Sequence, residues 1–355
     1  DSPRSAPRAD EPMIPKATTT LTLAAAALLA VACRSTCDDG AYEVAPAANL
    51  EVSAPLDLDG KAYDRAMSVE LPPVEPIELP GLHNLFHLSD NIISGSEPHG
   101  DAALEAIAAM GVKTVVSVDG KAPDVETAAA LGMRYVHVPI QYSDISGDEM
   151  LKLSKTFREL EGPFYVHCFH GKHRGPAGAM VGRLVLDGVE REEAIAEMRQ
   201  YCGTSKKYEG LYRVIAAGDV PTAAESGAYG YGFDAIDAPE GVVGSMVILS
   251  RAHDNNVVMQ ASGWMADPAH PDLDPVNEAT QLVQGYAMGE DLHAVRTAAD
   301  DYRSWWDEGL AESELLLAAV REVAAGNAAA AAKADLHFEA VRQSCKDCHG
   351  EYRNL

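Results

Sequence analysis

The periodicity of this chain changes once, near residue 241, and that change calls for two differently built domains. Between residues 82 and 218 short apolar runs alternate with amphipathic stretches. Ile92-Ile93-Ser94 and residues 112–118, 133–140 and 163–167 read as strands. Residues 101–110, closed by Gly111, and 124–131 read as helices. Ser146-Gly147-Asp148-Glu149 is a capping box for a helix reaching Leu160, another helix starts near Arg174, and two more fill 190–218. This alternation predicts an α/β domain over 82–218, a mostly parallel sheet flanked by helices. Beyond residue 241 only helical spacing remains. Leu292, Val295, Ala299, Tyr302 and Trp306 form one stripe, and Leu315, Leu316, Val320 and Val323 a second. Ala334, Phe338, Val341, Cys345, Cys348 and Tyr352 form a third, and residues 242–262 and 275–288 supply one or two more helices. An all-α helix bundle over 241–355 is expected, joined through a Gly-, Ala- and Asp-rich linker at 219–240.

Upstream, residues 1–33 read as an export signal. Met13 is the expected start, Lys16 supplies a positive charge, and residues 21–32 are an apolar run too short to span a bilayer as a mature helix. Ala30-Val31-Ala32-Cys33 resembles a bacterial lipoprotein cleavage box, although Leu29 lies one residue early. Lipidation of Cys33 is therefore expected, with ordinary signal cleavage as the alternative. The expected location is the periplasm or cell envelope, with membrane contact only through the lipid anchor. Residues 34–81 are acidic and Pro-rich and read as a tether. A net charge of −26 argues against nucleic acid or an anionic membrane surface as a partner. Six cysteines are too few for a disulfide framework in 355 residues, and Cys37 has no evident partner.

Two sites of chemistry stand out. Val166-His167-Cys168-Phe169-His170-Gly171-Lys172-His173-Arg174 places H-C-x5-R between an apolar strand and a helix. Such a turn points successive backbone N–H groups into one concavity at a helix N-terminus, where an anion is stabilised. The same field favours the thiolate of Cys168 as nucleophile. Arg174 can hold two phosphoryl oxygens, Gly171 allows close approach of the loop to a ligand, and His167 is expected to orient the loop. Phe169 to Arg174 would together form the phosphate-binding loop.

This stretch resembles the active-site loop of the cysteine-dependent tyrosine and dual-specificity phosphatases, over about residues 82–218. The resemblance implies a phosphocysteine intermediate and an Asp general acid on a loop ahead of the active-site strand. Asp144, 24 residues before Cys168, matches that location, with Asp148 as the alternative. One departure is Gly175, where the family carries Ser or Thr to help the thiolate leave; a slow second step or different chemistry follows from it. His170 and His173 make the loop rich in imidazole, and could add positive charge in mild acid, touch substrate or sit on the rim. Asp119-Gly120 lies at the C-terminal end of a strand, the usual side for ligands in such sheets, and reads first as a plain strand-to-loop turn; Cys202 reads either as a core thiol or as a reversible disulfide partner of Cys168.

Cys345-Lys346-Asp347-Cys348-His349 is a C-x-x-C-H sequence, the attachment pattern of covalent haem c, with Cys345 and Cys348 as thioether donors and His349 as proximal iron ligand. With Tyr352-Arg353 after it, the segment resembles the C-terminus of class II cytochromes c, the cytochrome c′ and c-556 group. That resemblance covers roughly the last third of the chain. It implies a four-helix bundle, with the sixth iron position either open or filled by a Met of the first helix. Met246 is the candidate distal ligand, while Met259, Met288, His253 and His293 stay open; Arg353 could neutralise a propionate.

Taken together, an exported phosphatase fused to a c-type cytochrome is expected, acting on a phosphorylated protein or small molecule. A redox partner protein and a homodimer through the bundle are further expectations. Two alternatives remain: a sulfur-transfer or sulfur-oxidising enzyme carrying a persulfide on Cys168, with haem as electron acceptor, and a non-enzymatic oxyanion-binding module on an electron carrier.

Overall fold

The structure, a computed structural model, describes residues 50–237, 241–266, 273–290 and 292–352. The signal region, Cys33, Cys37 and Arg353 lie outside the described residues.

The α/β domain opens with helix α1 (Ala62–Met67) and strands β1 (Ile77–Leu79), β2 (Leu82–His87) and β3 (Ile92–Ser96). It continues through α2 (Asp101–Ala109), β4 (Thr114–Ser117), α3 (Val125–Ala130), β5 (Arg134–His137) and α4 (Gly147–Glu159). The last elements are β6 (Phe164–Cys168), α5 (Arg174–Gly182), α6 (Arg191–Gln200), α7 (Glu209–Ala217) and α8 (Ala223–Ala228). The sheet order is β1-β2-β3-β6-β4-β5. β3, β6, β4 and β5 run parallel, while β1 and β2 add an antiparallel edge, so the sheet is mixed. β1 and β2 escape a periodicity reading because β1 follows a Pro-rich run and β2 alternates only in part: Leu82, Leu85 and Phe86 are buried, His83 and His87 exposed.

All five residues of β6 are buried, because it is the central strand with parallel neighbours on both sides. Apolar side chains cover both sheet faces. Val116, Val136, Val166, Phe157 and Leu184 belong to one core cluster, and Ile93, Ile107, Val115 and Tyr165 to the other. The Ser146 capping box is present, with Ser146 Oγ accepting from Glu149 N and the Glu149 carboxylate accepting from Ser146 N.

Two segments are more ordered than their composition suggests. Within the expected tether, Leu56 N donates to Ala216 O, Ala62 N and Tyr63 N donate to the Glu209 carboxylate, and Ala62 and Ala66 are buried. Residues 50–80 are thus fastened to the domain surface. In the expected linker, Thr222 caps α8 with its own capping box, Arg158 Nη1 donates to Pro221 O and Ser226 Oγ, and Asp234 O accepts from His137 N at the open edge of β5.

The C-terminal region is helical: α9 (Gly241–Ala261), α10 (Pro275–Glu290), the short α11 (His293–Arg296), α12 (Asp300–Ala324) and α13 (Ala331–Tyr352). The stripe from Leu292 to Trp306 is broken between α11 and α12, whereas the stripe through Leu316 and Val320 is the buried face of α12. Trp264, Leu282, Tyr286, Trp306, Leu316, Phe338 and Val341 form its core. This bundle and the α/β domain belong to one compact unit. Gln284 Oε1 accepts from Ala122 N at 3.0 Å, and the Gln281 carboxamide lies so close over Gly120 that a Cβ there would sit 2.0 Å from it. Among the described residues no helix is long and apolar enough to cross a membrane.

Candidate active site

Helix α5 presses flush onto the sheet because its residues are small. A Cβ at Gly182 would come within 2.5 Å of Ile92 Cδ1, and one at Gly178 within 3.0 Å of Val118 Cγ1. This close packing points the N-terminus of α5 at the C-terminal ends of β6 and β4. The 169–173 loop turns there on Gly171, at φ +70°, where a Cβ would lie 2.4 Å from the Gly95 carbonyl carbon. Gly171 therefore serves close approach to β3, rather than to a ligand as the sequence suggested. Asn84 of β2 closes the turn from outside, its Nδ2 donating to Gly171 O at 2.8 Å and Cys202 O at 2.9 Å.

Cys168 and Arg174 are brought together as expected, and both are buried. The surprise is Asp119, which caps the next strand rather than making a plain turn. Its Oδ2 accepts from Arg174 Nη2 at 2.6 Å and from Phe169 N at 3.0 Å, and its Oδ1 accepts from Lys121 N at 3.0 Å. Burial alone would raise the Asp119 carboxyl, but Arg174 and these backbone N–H groups outweigh it and hold it below the usual carboxylate range. Arg174 is likewise pushed down by burial and pulled further up by Asp119. Tyr142 adds a second contact: its hydroxyl accepts from Arg174 Nη2 at 2.9 Å and its ring lies 4.1 Å from the guanidinium carbon. Arg174 Nε is buried without a hydrogen-bond partner. A buried guanidinium with a spare donor beside a cysteine and a row of loop amides is a receptor for an oxyanion.

The histidines take different places. His167 is buried, with Nε2 2.7 Å from the Tyr135 hydroxyl, and burial pushes its pKa down to about 3, so it is neutral. His173 is also buried, packed on Tyr208 at 4.5 Å with Nδ1 accepting from Ser205 N. It is not on the rim. His170 is half-buried against Phe169, and Lys172 is exposed. His137, which sequence reasoning passed over, accepts from Asp237 N through Nδ1, leaving Nε2 to donate to Asp119 O at 2.8 Å; burial lowers its pKa.

Asp144 is exposed, and its Oδ1 accepts from its own neighbour Ile145 N. Asp148 is exposed too, at the first turn of α4, bound by Lys152 at 3.0 Å and by the Tyr229 hydroxyl. Gly175 directs its open side at the cysteine: a Cβ would sit 3.0 Å from Cys168 N and 3.4 Å from Cys168 Sγ. Cys202 is a buried free thiol that burial pushes up, which fits a core residue.

From the bundle, α10 brings Asn277, Glu278 and Gln281 to this edge of the site. Asn277 Nδ2 stands 3.5 Å from Asp119 Oδ1. Glu278 is fully buried; burial raises its pKa to about 7, against the pull of Arg174. A cleft of about 790 Å³ opens between the domains, with Tyr142, Lys152, Arg174, Arg251, Asn255 and Gln281 among its walls. Met288 also faces this cleft.

The second cavity, about 670 Å³, lies inside the bundle. Cys345, Cys348 and His349 of α13 line it, opposite Met246 and His253 of α9, with Tyr302, Trp305, Trp306 and Tyr352 as aromatic walls. Cys345 and Cys348 are free thiols on one half-buried face, and Cys345 Sγ lies 3.3 Å from the Tyr286 hydroxyl. This donor set and largely apolar enclosure fit a haem attached through the two thiols. Of the distal candidates, Met246 and His253 line this cavity; Met259 is buried in the bundle core and His293 is exposed on α11.

No protein-family model matches the sequence. Among curated proteins, the dual-specificity protein phosphatase TpbA of Pseudomonas aeruginosa strain UCBPP-PA14 is 28% identical over 119 residues, 33% of this chain and 54% of TpbA. TpbA from a second P. aeruginosa strain is 27% identical over 118 residues, 33% of this chain and 53% of its own. The chain thus spans about half the length of the curated relatives it matches. Among solved structures, P. aeruginosa TpbA aligns with TM-score 0.34 and 24% identity over 39% of this chain and 87% of its own. The core catalytic domain of the PP-IP phosphatase SIW14 from S. cerevisiae aligns with TM-score 0.33 and 16% identity over 39% of this chain and 88% of its own. Over about a third of its length this chain is similar in sequence to the dual-specificity phosphatase TpbA.

Proposed function

We propose that this chain is an exported cysteine phosphatase fused to a haem-binding bundle. The observation that carries the reading is the Cys168 loop: a buried cysteine at the end of the central strand, faced by a buried Arg174 with a spare Nε donor at the start of α5. In the proposed reaction Cys168 Sγ attacks phosphorus and the ester P–O bond breaks. Loop N–H groups and Arg174 hold the three equatorial oxygens, and the departing oxygen takes a proton. Water then attacks the phosphocysteine, the S–P bond breaks, and phosphate leaves. Asp119 and His137 fix Arg174 and the loop without touching phosphorus. Phosphotyrosine is a natural first substrate, since the related TpbA was crystallised with it.

For the bundle the proposal is covalent haem c on Cys345 and Cys348, with His349 as proximal ligand and Met246 on the far wall. Such a group supplies one-electron transfer or gas binding when bound; the chain's own residues hold it, exclude water through Trp305 and Trp306, and set its sixth ligand. An electron-carrying partner protein, a lipid anchor at Cys33 and a cell-envelope location belong to the same reading, and rest on the sequence of residues 16–33 and the C-x-x-C-H pattern.

The test is hydrolysis of p-nitrophenyl phosphate by the haem-loaded protein under reducing conditions, beside Cys168→Ser. Turnover lost in the variant supports cysteine phosphatase chemistry. Turnover unchanged in the variant rules it out. Gly175 favours one second reading, persulfide transfer, because no hydroxyl stands beside Sγ to help a phosphocysteine break down; thiosulfate turnover without phosphatase turnover would select it.

A further inference from the structure

The cleft that Arg174 lines holds a second guanidinium, and the bundle supplies it. Arg251 of α9 is exposed and lines the same cleft. Gln141 holds it: with the amide oxygen turned toward α9, Gln141 Oε1 accepts from Arg251 Nη1 at 2.7 Å and from Nε at 2.8 Å. The next residue, Tyr142, grips the other arginine, its hydroxyl accepting from Arg174 Nη2 at 2.9 Å. Consecutive Cα atoms are about 3.8 Å apart, so one dipeptide ties the two cations to each other. Tyr142 is itself clamped, because it packs against the cores of both domains. Helix α9 is held at a set depth as well. Gln284 Oε1 of α10 accepts from Ala122 N at 3.0 Å, and α9 lies flush on α10 at Gly285, where a Cβ would come within 2.9 Å of Leu249 Cδ2.

The surrounding charges leave Arg251 unmatched. Lys152, the third cation of the cleft, is taken by Asp148 at 3.0 Å and Asp237 at 3.7 Å. Asp254, on the next turn of α9, lies 3.3 Å from His253 Nδ1, and among the described residues no carboxylate pairs with Arg251. A guanidinium held by one neutral oxygen keeps its charge and has donors to spare. Asp234 and Asp254 also line the cleft, so negative charge is disfavoured there except where Arg251 receives it. The volume, about 790 Å³, is that of a small-molecule site, and Ile140, Val247, Ile248 and Met288 give it an apolar lining for a carbon skeleton.

We propose that this cleft sets the substrate specificity of the phosphatase. It takes a small phosphomonoester that carries a second anionic group, a carboxylate or a further phosphate. Arg251 binds that second group while the scissile phosphoryl group lies at Arg174 and the Cys168 loop. This rests on the phosphatase reading and deepens it: the bundle completes the substrate site.

The test uses the full chain and three esters: phenyl phosphate, and phenyl phosphates bearing a para carboxyethyl or a para phosphonoethyl group. Wild type is expected to prefer one or both substituted esters by about 10-fold or more in kcat/KM, the scale of one hydrogen bond between charged groups, with the gain in KM. The preferred arm identifies the second anion. Arg251→Gln is expected to erase the preference, Arg251→Lys to keep part of it, and 1 M salt to collapse it in wild type. A wild-type melting temperature in Arg251→Gln reports an intact fold. No preference in wild type overturns the assignment, as does an equal loss on all three esters in Arg251→Gln. A wild type that turns over none of the esters and forms no phosphocysteine fails the phosphatase reading instead. Calorimetric binding of phenylphosphonate and its para-carboxyethyl derivative then decides the subsite by itself: tighter binding of the second, lost in Arg251→Gln, keeps it, and equal binding overturns it.

Discussion

Asp119→Asn isolates the ion pair that holds the site together. The side chains of Asp119 and Arg174 are each 5% exposed, so water neither screens the pair nor replaces a lost partner. In the variant the guanidinium stays buried without a compensating charge. The amide cannot accept from both faces, yet Oδ2 now takes Arg174 Nη2 and Phe169 N while Oδ1 takes Lys121 N. Breaking a buried pair from one side costs about 3–5 kcal/mol. At about 2–4 °C per kcal/mol for a chain of this size, the melting transition of the α/β domain should fall by about 6–20 °C. Vanadate should recover part of the loss, because it offers Arg174 a new anion, and should raise the variant's Tm more than that of wild type. The pH dependence has a fixed sign. The folded-state pKa of Asp119 lies below its ordinary 3.8, so its contribution is present above pH 3.8 and is lost as the pH falls through the folded value. The gap between the two proteins should therefore hold at neutral pH and close in acid. Calorimetry with and without vanadate measures all three effects. A variant within about 1 kcal/mol of wild type at neutral pH would refute the reasoning, since surface-like pairs cost no more than that.

Other outcomes follow from single residues. Glu278 has its folded pKa raised from 4.5 to about 7, so it lowers stability as the pH climbs through that window. At about 1.36 kcal/mol per unit the cost is about 3 kcal/mol above pH 7. Glu278→Gln should thus be more stable than wild type at pH 8 by about that amount and close to it at about pH 4, below the unfolded value, as read by urea denaturation at the two pH values. Gly171→Ala places a Cβ against the β3 backbone at φ +70°, where the left-handed conformation alone costs about 1–2 kcal/mol; vanadate binding should be lost before the fold is. Cys345→Ala with Cys348→Ala should abolish covalent haem while leaving p-nitrophenyl phosphate turnover of the same preparation measurable, checked by haem staining after denaturation beside the activity assay.

What could be read in the sequence was local. Cys168, Gly171 and Arg174 fall within one strand–turn–helix, and the Ser146 capping box and the α13 stripe through Phe338 and Cys345 are each set by neighbours a few residues away. Asp119, His137 and Asn84 could not be assigned the same way, because Asp119 and Asn84 meet the loop, and His137 meets Asp119, across the sheet. β4 lies beside β6 only in the order β3-β6-β4-β5, which periodicity does not specify. The burial of Glu278 depends on how a second domain packs, and no motif marks that. A signal did exist for Asp119: an acidic residue at the carboxyl end of a strand preceding a Gly, on the side where such sheets bind ligands. The Pro-rich run before residue 80 misled in the other direction, since composition says little about side-chain bonds such as those from Glu209 and Gln200 that fasten it down.

The measurement that bears most directly on the account is an acid quench of the reduced full-length protein during turnover of an aryl phosphate, followed by peptide mass spectrometry of the segment from Phe164 to Arg174. The account predicts one phosphoryl group on Cys168, absent in Cys168→Ser and accumulating because Gly175 gives no hydroxyl to speed its loss. Turnover with no phosphoryl group on Cys168 at any quench time would contradict it.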